Sequence, residues 1–128
     1  MHQFETFIIN TKELFDKLVW FETQIETDLL SLDLETDSEI EKKANIYGMG
    51  LAFTDKKAFY IVWRDKSGQI IWNDSERTSI LDWLRSMVSK RKIIGHNILY
   101  DTLVLENNFG IIIDDNIYAD TILMKHTL

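Results

Sequence analysis

Hydrophobic side chains recur along this chain with two different periods. From Thr11 to Gln24 (TKELFDKLVWFETQ), Leu14, Phe15, Leu18, Val19 and Phe21 fall near the spacing of one helical face, with Thr11 where an N-cap belongs and Glu13 in the first turn. The spacing predicts an amphipathic helix. Asp28 to Leu34 (DLLSLDL) is a short apolar run between polar flanks, the pattern of a strand buried on both faces, and it leads directly into Glu35, Thr36 and Asp37. Ile46 to Thr54 and Ala58 to Trp63 are rich in β-branched and aromatic residues around the polar link Asp55, Lys56, Lys57, which predicts a hairpin beside the first strand. Ser75 to Ser89 returns to helical spacing through Ile80, Leu81, Trp83, Leu84, Met87 and Val88, with Asp74 or Ser75 as the cap. Lys92 to Gly95 reads as a strand, Ile98 to Asn107 as a helix, Ile111 to Ile113 as a strand closed by a turn at Asp114, Asp115 and Asn116, and Asp120 to Leu128 as the start of a helix that Asp120 caps. The order is helix, three strands, helix, strand, helix, strand, helix, hence an α/β domain with a mixed sheet and helices on both faces.

Length and composition narrow this only a little. A chain of 128 residues, 45% hydrophobic and 27% charged, is one globular domain without repeat or linker. No apolar run approaches the roughly 20 residues of a membrane span, and the N-terminus has no secretory pattern, so the reading is of a soluble, unsecreted protein with no membrane partner. The absence of cysteine excludes disulfides and thiolate zinc sites and fits a reducing compartment. Proline is also absent, against a usual share of about 5%, which compositional drift explains. Charge matters more. With 14 basic and 21 acidic residues the net charge is −7, the wrong sign for gripping nucleic acid by bulk electrostatics, so a polyanion must be held locally, by short basic clusters or by divalent cations on carboxylates.

Two segments carry carboxylates suited to that. In Leu32-Asp33-Leu34-Glu35-Thr36 the two acids stand two residues apart at a strand end and leave the same face of the sheet, where they can share an ion; hard oxygen ligands select magnesium or manganese over zinc. Alone the pattern is weak, because such pairs also arise at solvated strand ends. In Gly95-His96-Asn97-Ile98-Leu99-Tyr100-Asp101, a strand gives way to a helix and Asp101 falls about one turn in, where it can point back over the carboxyl end of the sheet toward Asp33 and Glu35. Here Asn97 as a simple helix cap and Tyr100 as partial core is an equally good reading. Trp20, Trp63, Trp72 and Trp83 are spread over different elements and read as packing residues, and Lys90-Arg91-Lys92 as a solvated helix end more than a phosphate contact.

Together these segments resemble the 3′-5′ exonuclease (proofreading) domain of DNA polymerase I-like, family A polymerases, within the DEDD exonuclease superfamily and its ribonuclease H-like fold. The resemblance runs over Asp33-Leu34-Glu35-Thr36-Asp37-Ser38, then Ala44-Asn45-Ile46-Tyr47-Gly48, then Gly95 to Asp101 in the pattern Gly-x-Asn-x-x-Tyr-Asp, and Tyr118 to Met124 in place of a Phe-Asp-Thr-Met helix start. It implies an enzyme, a 3′-5′ exodeoxyribonuclease acting on single-stranded DNA 3′ ends in DNA replication. Asp33, Glu35 and Asp101 would be catalytic and metal-ligating in a two-ion Mg2+ or Mn2+ site; Glu35 and Thr36 would lie at the 3′ hydroxyl, and Asn97 and Tyr100 would place the terminal nucleotide. A polymerase domain or a second polypeptide would be the partner, in the cytoplasm of a bacterial or phage-infected cell.

The chain departs from the family twice. Where an apolar wedge is frequent stands Glu39, followed by Ile40. The third motif, which supplies the fourth acid, is absent before Leu128, and His126 has no Asp after it, so the chain reads as truncated before its C-terminal helix. Two further readings follow from the same residues: an RNA-trimming nuclease of the superfamily, and a catalytically incomplete scaffold or split-polymerase partner.

Overall fold

In a computed structural model the chain is described over residues 5–38, 40 and 43–120. Its elements are β1 (Glu5–Ile9), α1 (Lys12–Thr23), β2 (Leu29–Thr36), β3 (Ile46–Ala52), β4 (Lys57–Val62), α2 (Asp74–Ser89), β5 (Lys92–Gly95), α3 (Ile98–Phe109) and β6 (Ile117–Asp120), with a 3-10 turn at Asp114–Asn116 before β6. The six strands form one mixed sheet in the order β1-β4-β3-β2-β5-β6. β2, β3 and β4 are antiparallel neighbours, while β1 on β4, β5 on β2 and β6 on β5 are parallel.

Residues paired directly across strands share a face, so the register sorts the sheet. Leu34, Met49, Ile61 and Ile9 form one row and Leu32, Leu51, Phe59 and Phe7 the next. That face is the core side, and the buried faces of α1 (Phe15, Leu18), α2 (Ile80, Leu84, Met87) and α3 (Ile98, Val104, Leu105) join it in a single cluster. Phe15 meets Trp83 edge-on at 5.5 Å, tying α1 to α2, and Arg85 Nη2 donates to the Phe109 carbonyl at 3.0 Å, tying α2 to α3. The opposite rows, Asp33, Gly50, Tyr60 and Glu35, Gly48, Val62, belong to the other face. β2 is accordingly buried on one face only, with Leu30, Leu32 and Leu34 inward and Ser31, Asp33 and Glu35 exposed, a correction to the expectation of a strand buried on both. The helix expected from Asp120 to Leu128 falls, beyond Asp120, outside the described residues.

Three more expectations change. A strand precedes the first helix: β1 is short and exposed except at Ile9, and it gains its hydrogen-bond partners from β4 rather than from a periodic pattern of its own. The cap of α2 is Asn73, not Asp74 or Ser75, because Asn73 and Glu76 form a reciprocal capping box, Glu76 N–H to Asn73 Oδ1 at 2.8 Å and Asn73 N–H to Glu76 Oε1 at 2.9 Å. Residues 111–113 alternate like a strand, with Ile111 and Ile113 buried and Ile112 exposed, yet join no ladder among the described residues; the last described strand is β6, so Tyr118 to Asp120 is extended rather than helical.

Opposite the carboxyl end of β2, a buried ion pair ties α1 to the start of β5. Arg91 Nη2 meets Glu22 Oε2 at 3.0 Å, Lys90 reaches the same oxygen at 3.2 Å, and the guanidinium lies 4.9 Å over the Phe53 ring. Burial alone would raise the Glu22 carboxyl, but the hydrogen bonds and charges of Arg91 and Lys90 outweigh it and hold it below the usual range. The sign follows: stability from this contact is full above the ordinary Glu value and is lost as pH falls through the lower folded value. Glu22→Gln is expected to lose about 2 kcal/mol at pH 7 and far less in acid, as urea unfolding at the two pH values would show.

Candidate active site

The two acidic segments converge where β5 stops and β2 runs on. β5 pairs with β2 only through Leu29, Leu30 and Ser31, so the next edge positions of β2 face the first turn of α3. Gly95, the last residue of β5, makes that approach possible: a Cβ there would lie 2.7 Å from Ile98 Cδ1 and 3.1 Å from the Leu32 carbonyl oxygen. The chain then turns through Asn97 at φ 60°, ψ 46°, a left-handed conformation that Asn tolerates better than most residues. Asn97 does not cap the helix through its side chain, so that reading is set aside. The cap comes from the neighbouring strand: the Asp120 carboxylate, buried at the end of β6, accepts from the N–H groups of Asn97 at 3.3 Å and Ile98 at 3.1 Å. Asp120 therefore caps α3.

Asp101 sits in the first turn of α3 and is 3% exposed. Burial pushes its carboxyl up, the nearby charge of Asp33 pushes it further, the Leu34 N–H that it accepts opposes both, and Asp120 adds to the rise, leaving it at about 7. Its Oδ2 is buried and, among the described residues, has no hydrogen-bond partner. A carboxylate oxygen in that state, beside a second carboxylate, calls for a proton or a cation, and Mg2+ or Mn2+ suits such hard oxygen donors. Among the described residues no three His, Asp or Glu side chains gather into a ready metal cage, so the residues present fit a single ion at the Asp33 and Asp101 pair better than a closed two-ion site.

Glu35 leaves the same face as Asp33, as expected, and its Oε2 accepts from Tyr60 Oη at 3.0 Å. Burial first, then the hydrogen bond and charge of Glu35 and the charge of Asp33, push the Tyr60 phenol up to about 12. One residue later the ladder slips: Glu35 pairs with Gly48, but Thr36 pairs with Ile46, a bulge that re-aims the end of the strand. Thr36 Oγ1 consequently lies 2.9 Å from Tyr100 Oη and donates to the Ser38 carbonyl at 3.0 Å, a carbonyl to which Tyr100 also donates. Asp37 closes the loop beyond, accepting from the Asn45 N–H at 2.8 Å and from Asn45 Nδ2 at 3.1 Å, contacts that hold its carboxyl below the usual range. Thr36, Asp37, Ser38, Asn97 and Tyr100 line one open cleft of about 570 Å3.

The structure thus brings Asp33 and Asp101 together, sets Glu35 on the same sheet face and gathers Thr36, Asn97 and Tyr100 around the cleft. His96 is exposed, Ile40 is exposed beyond the cleft loop, and Glu39 and His126 lie outside the described residues. Lys90 and Arg91 belong to the Glu22 ion pair. The residue that sequence reasoning missed is Tyr60, the fourth residue of β4, in a hairpin expected only as part of the sheet. Its signal was the alternation Gly48-x-Gly50 in the facing strand, since glycines inside a strand mark a close approach.

No protein-family model matches this chain, and no curated protein sequence does. Its fold is nevertheless shared with solved structures. The catalytic core of RRP6 from Trypanosoma brucei aligns at a TM-score of 0.61 and 16% identity, covering 96% of this chain and 30% of that one. The EXD2 exonuclease domain soaked in Mg and GMP aligns at 0.64 and 12%, covering 95% and 59%. The Aedes aegypti Nibbler EXO domain aligns at 0.61 and 11%, covering 95% and 56%. The chain spans less than two thirds of the length of each. At these identities the likeness establishes architecture: a mixed α/β, ribonuclease H-like sheet of the kind found in exonuclease domains.

Proposed function

We propose that this chain is an exonuclease domain of the DEDD superfamily, removing nucleotides from 3′ ends with Mg2+ or Mn2+. The observation that carries this reading is the Oδ2 of Asp101, buried near Asp33 and without a partner among the described residues, one position after Tyr100, which lines a cleft with Thr36 and Asn97. Solved structures of the same fold, among them exonuclease domains soaked in Mg and Mn, support it. Asp33 and Asp101 would hold the ion, with Glu35 presented from the same sheet face; when bound, the ion supplies charge neutralisation at the phosphodiester and acidifies the attacking water. The chain's own residues do the rest. Thr36, Tyr100 and the Ser38 carbonyl form a fixed polar wall for the terminal sugar, Asn97 presents its side chain from a strained turn at the other wall, and Asp120 locks that turn to β6.

DNA is the substrate assigned here, as in a proofreading domain, and that assignment rests on the sequence motifs. Soaks of the EXD2 exonuclease domain with both GMP and dGMP make RNA the second reading. Single-stranded DNA and RNA of one sequence, labelled at either end and incubated with the chain and Mn2+, separate the outcomes. Stepwise shortening of DNA from its 3′ end is expected. Shortening of RNA alone would transfer the assignment to an RNA-trimming nuclease, and no cleavage with any divalent ion would leave a non-catalytic scaffold.

A further inference from the structure

Glu35 stands on the sheet face away from the core, an exposed carboxylate on a flexible stem, yet its Oε2 is held by Tyr60. The register shows how unusual the reach is. Tyr60 lies in the row of Gly50 and Asp33, whereas Glu35 lies in the next row, with Gly48 and Val62. To meet Glu35 the phenol must lean diagonally across β3, and it does so through the space above Gly48. A Cβ at Gly48 would fall 1.9 Å from Tyr60 Oη and 2.1 Å from its Cζ, inside the ring's own volume. A Cβ at Gly50 would touch only the Asp33 carbonyl oxygen at 3.5 Å and its Cβ at 3.8 Å, ordinary contacts that leave Tyr60 undisturbed. The two alternate glycines are therefore not equivalent: one is the notch that the tyrosine fills.

We propose that Tyr60 is a positioning residue for Glu35, fixing the carboxylate over the sheet through the notch at Gly48 so that the acid is aimed before substrate arrives. This rests on the nuclease reading above, because it assigns a role within that site. A free glutamate side chain samples many rotamers, and holding it in one raises the fraction of molecules with the acid correctly placed. A hydrogen bond from a neutral phenol to a carboxylate belongs to the stronger, charge-assisted class.

The test compares Tyr60→Phe, Gly48→Ala, Glu35→Gln and the double variant Tyr60→Phe, Glu35→Gln, with Gly50→Ala as the control. Tyr60→Phe keeps the ring and should melt within a few degrees of the parent, whereas Gly48→Ala swings the whole ring aside, so its melting temperature is measured beside its activity. In nuclear magnetic resonance spectra, three-bond couplings of Glu35 should report one rotamer in the parent and averaging in both variants. Tyr60→Phe and Gly48→Ala should each lower kcat for 3′-end cleavage about tenfold with KM little changed, Gly50→Ala should not, and Tyr60→Phe should have no further effect once Glu35 is Gln. Unchanged Glu35 couplings in Tyr60→Phe, or unchanged kcat, would overturn the inference while leaving the nuclease reading in place. A parent that neither cleaves nor binds Mn2+ would instead sink the nuclease reading, and the couplings alone would then decide whether Tyr60 fixes Glu35.

Discussion

Asp33→Ala should reduce Mn2+-dependent release of 3′-terminal nucleotides by about a thousandfold or more, while the protein folds as before. The two halves of this expectation have separate causes. Asp33 is exposed on the sheet face away from the core, opposite Gly50, so removing its carboxylate opens no cavity. Its charge nevertheless acts directly on Asp101, and together they form the acidic pair on which the proposed chemistry depends. Loss of an acidic ligand removes charge stabilisation that is needed throughout phosphodiester hydrolysis, so the effect belongs in kcat. The same variant has a signature independent of activity: with Asp33 gone, the Asp101 carboxyl should titrate below about 7, which carbon-13 shifts of its carboxyl would show. Cleavage at the parental rate would remove Asp33 from the site.

Asp101→Asn should stabilise the protein while inactivating it. The carboxyl of Asp101 titrates at about 7 in the fold against an ordinary value of 3.8, because it is buried beside Asp33. Between those values the folded protein keeps a proton that the unfolded chain has released. Stability from this group is therefore full below the ordinary value and is lost as pH rises toward 7. About three pH units of difference correspond to a loss on the order of 4 kcal/mol above pH 7. The amide carries no charge and escapes the loss, so thermal unfolding at pH 8 should favour Asp101→Asn by that amount, whereas near pH 4 the two proteins should melt together. Mn2+ should close the gap at pH 8 by stabilising the parent alone. A variant less stable than the parent at pH 8 without metal would show that Asp101 is not under electrostatic strain.

The legible parts of this molecule are those with strong local periodicity. The helix from Lys12 and the strand from Lys92 to Gly95 were readable because capping and a short apolar run leave few alternatives, and the same kind of pattern put Asp33 and Glu35 at the end of a strand and Asp101 one turn into a helix. β1 was not readable: its five residues are mostly exposed, and pairing with β4 is what makes them a strand. The segment 111–113 misled in the opposite direction, since the alternating burial there comes from Ile111 and Ile113 packing into the core and not from a ladder among the described residues. The motif residues were visible as types and spacings, but their mutual arrangement depends on tertiary detail. The slip at Thr36, the cap that Asp120 gives to α3 from a neighbouring strand, and the reach of Tyr60 over Gly48 are all long-range contacts that no local pattern encodes.

The most direct test of the central claim is calorimetric titration of the chain with Mn2+ at pH 8, beside the double variant Asp33→Ala, Asp101→Ala. Binding to the parent, weakening as pH falls below about 7 while Asp101 takes up its proton, and no binding to the double variant is the predicted result. Equal binding by both proteins, or none by the parent, would contradict the claim that these two carboxylates form the working heart of the site.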